Sequence, residues 1–124
     1  MLEFDKNLPI YWQICEYIKN LVFTGEIKPG DLAPSIRNLA VEINVNPNTV
    51  QRSYLDLERE GVLIPQRGVG AAVTTDLEKI KQLKHEKIKR SIESLYTQLI
   101  KLGMNNDEIL EEIANYLREW GVKK

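Results

Sequence analysis

Asn48, Thr49, Gln51 and Arg52 bring three hydrogen-bonding side chains and one guanidinium together in a short run that contains no acid. Such a group can read base edges and hold phosphates: Asn and Gln match adenine in bidentate fashion, and Arg matches guanine or phosphate oxygens. The same residues would also make the solvated face of an ordinary helix, and by themselves they do not separate the two. Catalytic chemistry has little to work with. His85 is the only histidine and Cys15 the only cysteine, so neither a zinc site of the usual ligand count nor an internal disulfide can be assembled. Cys15, between Ile14 and Glu16 in a helical pattern, reads as a buried structural thiol. No Ser-His-acid set forms around His85 on an exposed helical face, and the glycines at 68 and 70 precede no Gly-Lys-Ser/Thr phosphate loop. The expectation is a chain with no catalytic residues, no metal and no cofactor, and not an enzyme.

The elements that must carry the polar run are marked in the sequence. Asn46 is an N-cap residue, Pro47 fits the first helical position and Gly61 can end the helix in the left-handed conformation. Val50, Tyr54 and Leu57 form its inward stripe. Before it, Pro34-Ser35 opens a helix capped by Ser35, with Ile36, Leu39, Ala40 and Ile43 inward and Arg37 and Asn38 outside. The short link Asn44-Val45 joins the two helices as in a helix-turn-helix, with the helix of residues 46–60 as the reading helix. After it, Val62-Leu63-Ile64 and Ala71-Ala72-Val73-Thr74 pair as a hairpin over residues 62–74, with Arg67 and Gly68 at its tip. That hairpin is the wing: Arg67 reaches the minor groove and Gly68 lets the backbone come close. A first helix supplies Ile10, Ile14, Tyr17, Ile18, Leu21 and Val22 to the core, and Leu32-Ala33 allows one very short strand.

From Thr75 the character changes. Thr75-Asp76-Leu77-Glu78 has a capping-box pattern, and the helix after it carries a basic stretch from Lys79 and then Ile88, Ile92, Leu95, Leu99 and Leu102 at steps of four and three. Asn105 with Glu108 caps another helix bearing Leu110, Ile113, Leu117 and Trp120. Two such helices alone bury too little to be stable, so their stripes predict self-association.

Charge is the dissenting observation. The 124 residues carry a net charge of −1, and residues 1–75 hold seven Lys/Arg against nine Asp/Glu. DNA-binding domains are usually basic. Placement must compensate, with the acidic stretch Asp56 to Glu60 pointing away from a duplex. An interaction module that keeps the winged shape without operator binding is the alternative. No apolar run approaches the roughly 20 residues needed to cross a bilayer, and the N-terminus lacks a signal-peptide pattern, which predicts a cytoplasmic protein without a membrane partner.

The ordered motifs Leu8-Pro9-Ile10-Tyr11-Trp12-Gln13-Ile14, Pro29-Gly30-Asp31, Pro34-Ser35-Ile36-Arg37-Asn38-Leu39-Ala40, Val45 to Tyr54, Leu57-Glu58-Arg59-Glu60-Gly61 and Arg67-Gly68-Val69-Gly70 closely resemble the GntR family of bacterial transcriptional regulators. The Asn-Pro-Asn-Thr-Val wording and the short C-terminal part resemble its YtrA subfamily. The fold expected is mainly α with a small β-hairpin: a winged helix-turn-helix domain over residues 1–75, then a two-helix antiparallel hairpin for dimerisation over 76–124. The resemblance implies a homodimer on palindromic operator DNA, usually acting as a repressor. It points to Arg37, Asn46, Asn48, Thr49, Gln51, Arg52, Arg67 and Gly68 as DNA-facing, and Ser35 is counted with them. Ala33, Ile36, Asn38 and Ala71-Ala72 depart from the family's usual residues. No small-molecule effector is assigned.

Overall fold

The structure, a computed structural model, describes residues 2–123. In chain order the elements are α1 (Ile10–Phe23), α2 (Ile36–Glu42), α3 (Pro47–Glu60), β1 (Leu63–Gln66), β2 (Gly70–Val73), α4 (Leu77–Lys101) and α5 (Asn106–Lys123). They fall into two compact units that meet at Lys84 and His85, inside α4. The first unit therefore runs past Thr75, where sequence character changes. The reason is apolar: Ile80 and Leu83, on the first turns of α4, pack half-buried on the core of α1 to β2.

That core is built by α1, α2 and α3 with the hairpin. Ile14, Ile18, Leu39, Val50, Leu57, Val62, Leu63 and Val73 are its fully buried large side chains. α1 supplies Ile14, Ile18 and Val22 as expected, whereas Ile10 at its first turn is exposed. Gln13 is buried in its place, and its amide holds the N-terminal segment: Oε1 accepts from the Asp5 N–H at 2.8 Å, and Nε2 donates to the carbonyls of Asp5 and Leu8. A buried amide needs partners of this kind.

The turn between α2 and α3 has a specific backbone solution. Asn44 adopts φ 56°, its N–H donates to the Val41 carbonyl, and the Val45 N–H reaches back to the Ala40 carbonyl at 2.9 Å. This is a Schellman ending, and Asn is among the few non-glycine residues that tolerate the left-handed region. Val45, half-buried against the core, sets the angle at which α3 leaves.

α3 ends the same way at Gly61, φ 82°, with the Gly61 N–H on the Glu58 carbonyl and the Val62 N–H on that of Leu57. A Cβ at Gly61 would meet only the far end of the Lys79 side chain, Cε at 3.2 Å and Nζ at 3.9 Å, so backbone conformation rather than space is what selects glycine. Gly61→Ala should therefore cost about 1–2 kcal/mol, the usual left-handed penalty. Urea denaturation followed by circular dichroism would measure it, and an unchanged midpoint would refute the assignment.

β1 and β2 pair antiparallel from Leu63↔Val73 to Gln66↔Gly70, longer toward the tip than the sequence pattern requires. The Val69 N–H donates to the Gln66 carbonyl and Gly68 takes φ 75°, closing the tip over Arg67-Gly68-Val69. Leu32 adds a single bridge to Ala72 on the outer side of β2, the very short strand expected there.

α4 is capped by Asp76 rather than Thr75: Asp76 Oδ1 accepts from the Lys79 N–H at 3.1 Å. In the second unit the capping box of α5 is reciprocal, with the Glu108 N–H on Asn105 Oδ1 and the Asn105 N–H on Glu108 Oε1. α4 and α5 are joined by the turn at Gly103, where the Tyr96 hydroxyl donates to Asn106 Oδ1 at 2.9 Å. Most apolar side chains of the second unit are nonetheless exposed. Ile88, Ile92, Leu95, Leu102, Leu110, Leu117 and Trp120 are exposed, Leu99 and Ile113 half-buried, and Ile109, outside the expected stripe, is buried. Among the described residues no helix is long and apolar enough to cross a membrane.

Candidate nucleic-acid interface

α3 is held on three sides, which leaves one face for a ligand. Val50, Ser53, Tyr54 and Leu57 are buried. The Tyr54 hydroxyl donates to the Pro34 carbonyl at 2.6 Å, tying α3 to the residue that leads into α2, and burial pushes its phenol well above the ordinary tyrosine range. Ser53 Oγ donates to the Tyr11 carbonyl at 2.8 Å, and the Cys15 thiol donates to the Ser53 carbonyl at 3.4 Å. Burial is the main reason the thiol is pushed up to about 11; a thiol so protonated is a packing group rather than a nucleophile.

On the remaining face Asn48, Gln51 and Arg52 are exposed side by side and line one shallow groove with Leu55, Asp56 and Arg59. The other residues expected to face DNA lie around it. Asn46 is exposed, but its Oδ1 accepts from the Asn48 N–H at 2.8 Å and serves the N-cap. Ser35 Oγ likewise accepts from the Asn38 N–H at 3.1 Å, which makes capping its first role. Thr49 is half-buried, Arg37 is exposed on α2, and Arg67 and Gly68 are exposed at the hairpin tip. None of these six lines the groove that holds Asn48, Gln51 and Arg52.

One expectation requires correction. The acidic end of α3 does not point wholly away, because Asp56 shares the groove with Asn48 and Arg52. Helical spacing explains this: positions 48, 52, 56 and 59 follow each other at steps of four, four and three. Asp56 is not a bare charge, since Arg59 Nη1 lies 3.2 Å from its Oδ1. Glu60 is also paired, with Lys19 Nζ of α1 at 2.6 Å. Two acids at the end of the reading helix are thus each held beside a cation within the fold, which screens them locally but leaves the net charge of the first 75 residues as it was. Leu55, Asp56 and Arg59 were legible in the spacing of α3. Tyr11 was not: the Arg52 guanidinium lies over its ring, 3.5 Å from the centroid, and that partner comes from another helix.

Groups of His, Cys, Asp and Glu able to hold a metal ion are lacking among the described residues. The arrangement offers amides and guanidinium groups on one helix face beside a hairpin with a basic tip, which is chemistry for base edges and phosphates.

Comparison with known proteins agrees with this arrangement. The model of bacterial regulatory proteins of the gntR family matches residues 10–73, from α1 to the end of β2. The HTH-type transcriptional regulator YhcF of Bacillus subtilis is 35% identical over 114 residues, covering 92% of this chain and 94% of YhcF. The HTH-type transcriptional repressor YtrA of the same organism is 45% identical over 76 residues, 60% of this chain and 58% of YtrA. A GntR family transcriptional regulator from Listeria monocytogenes superposes with a TM-score of 0.87 at 37% identity, over 90% of this chain and 98% of that one. The DNA-binding domain of AraR, in complex with its operator ORX1, superposes with a TM-score of 0.53 at 27% identity over 60% of this chain and 90% of that domain. With its helix-turn-helix, its wing and the motifs along α1 to β2 all falling inside the matched span, the chain belongs to the GntR family of bacterial regulatory proteins, on its YtrA-like side.

Proposed function

We propose that the protein is a sequence-specific transcriptional regulator, a repressor, that binds a palindromic operator in the cytoplasm as a homodimer. The observation that carries the reading is the face of α3, where Asn48, Gln51 and Arg52 are exposed together and the one acid among them is held by Arg59. The relatives support it, YtrA by its description as a repressor and AraR by its operator complex. α3 enters the major groove by its N-terminal half. Asn48 and Gln51 read base edges, Arg52 and Arg37 hold phosphates or guanine, and Arg67 at the wing tip reaches the minor groove. The exposed stripes of α4 and α5 meet those of a second copy, and a two-fold pair of reading helices about 34 Å apart matches half-sites one DNA turn apart.

Selection of random DNA by the purified protein near physiological salt tests this. An inverted repeat should emerge, and a folded protein that enriches no motif would leave only the winged interaction module. Gln51→Ala should cost about 1–3 kcal/mol of binding per half-site and relax preference at one position of the repeat. A loss that is equal on every sequence would make Gln51 a phosphate contact instead.

A further inference from the structure

Tyr11 stands on the first turn of α1 with its ring beneath Arg52, whose Cζ is 3.5 Å from the centroid. Its own backbone is gripped by α3, because Ser53 Oγ donates to the Tyr11 carbonyl at 2.8 Å. One turn further along α1, the Cys15 thiol holds the Ser53 carbonyl. The ring is thus pinned to the residue adjacent to Arg52. A guanidinium stacked face-on against an aromatic ring keeps its in-plane N–H donors free at the edge. Arg52 has an obvious competitor: Asp56 lies one turn on, at the spacing where a guanidinium and a carboxylate pair along a helix. Instead Asp56 is paired with Arg59 at 3.2 Å, and among the described residues Arg52 enters no ion pair.

We propose that Tyr11 is a positioning residue for DNA binding: it stacks under Arg52, withholds the guanidinium from Asp56 and presents its donor edge to the duplex. This rests on the DNA-binding reading above. Without the ring, Arg52 falls back onto the carboxylate, and its charge is spent inside the protein.

The first test needs no DNA. In the free protein the Arg52 Nε–H proton should be shifted upfield by the ring current, keep that shift in Y11F and lose it in Y11L. The second uses the sequence enriched by selection. Y11L should weaken binding about two- to tenfold, the scale of a cation–π contact, while Y11F binds as the parent does. D56N should raise affinity more in the Y11L background than beside Tyr11, and in an R52A background Y11L should have no further effect. A Tyr11 that served packing alone would lower thermal stability without any dependence on Asp56 or Arg52. An Arg52 proton at the same position in parent and Y11L, or Y11L binding like the parent, overturns the proposal. A parent protein that enriches no sequence fails the DNA-binding reading and this one with it, whereas normal binding with an unshifted Arg52 proton fails this one alone.

Discussion

Ile92→Glu combined with Leu95→Glu should turn the protein into a monomer and weaken its hold on a full palindrome by about a hundred- to ten-thousand-fold, the factor by which joining two modules raises avidity. Ile92 is 61% exposed and Leu95 44%, so two carboxylates there disturb little within one chain. They would be fatal only where another copy covers them. Exposed apolar residues continue through the second unit, Leu102 at the turn and Leu110, Leu117 and Trp120 on α5, more than a lone monomer normally leaves to water. Sedimentation equilibrium reads the oligomeric state, and titration of a single half-site separates loss of avidity from damage to the reading head. The half-site affinity should stay near that of the parent. A variant that still sediments as the parent does would remove this stripe from the interface.

The second large effect belongs to the frame that holds α3. Leu57 is fully buried in the core, and its carbonyl receives the Val62 N–H that ends the helix. Leu57→Ala should destabilise the protein by about 2–5 kcal/mol, through lost transfer energy and the cavity left behind. That is a large share of the roughly 5–15 kcal/mol by which a domain is stable. Leu55, two residues earlier but 45% exposed, should cost far less on the same change. Urea denaturation gives both values. Well below the melting temperature, Leu57→Ala should bind DNA nearly as the parent does, because Asn48, Gln51 and Arg52 stand on the opposite face. A Leu57→Ala loss under 1 kcal/mol would mean that α3 is not anchored there.

Much of the fold is local and therefore legible in residue order. Asn46-Pro47 and Gly61 bracket α3, Asn105 and Glu108 cap α5, and Leu39-Ala40 and Val50-Tyr54-Leu57 face inward, each because a cap or a period of 3.6 needs only near neighbours. The reach of the first unit to Lys84 was less legible, since the basic run from Lys79 hides Ile80 and Leu83 among charged residues.

By itself the sequence determined the helix-turn-helix and wing, the exposed Asn48-Gln51-Arg52 face and the family. Hydrogen bonding at helix ends, the αL preference of Gly61 and apolar spacing act over a few residues, and order along the chain is enough to reveal them. Only tertiary structure decided what stands around that face. Tyr11 lies under Arg52, Lys19 takes Glu60, and Tyr54 reaches Pro34, pairings between residues 20 to 41 positions apart along the chain. The first two depend on the angle at which α1 crosses α3 and the third on that between α2 and α3, both set by the summed packing of the core. No local pattern encodes those angles, so the pairing of Glu60 with Lys19 beside the reading helix is decided only once the helices are packed.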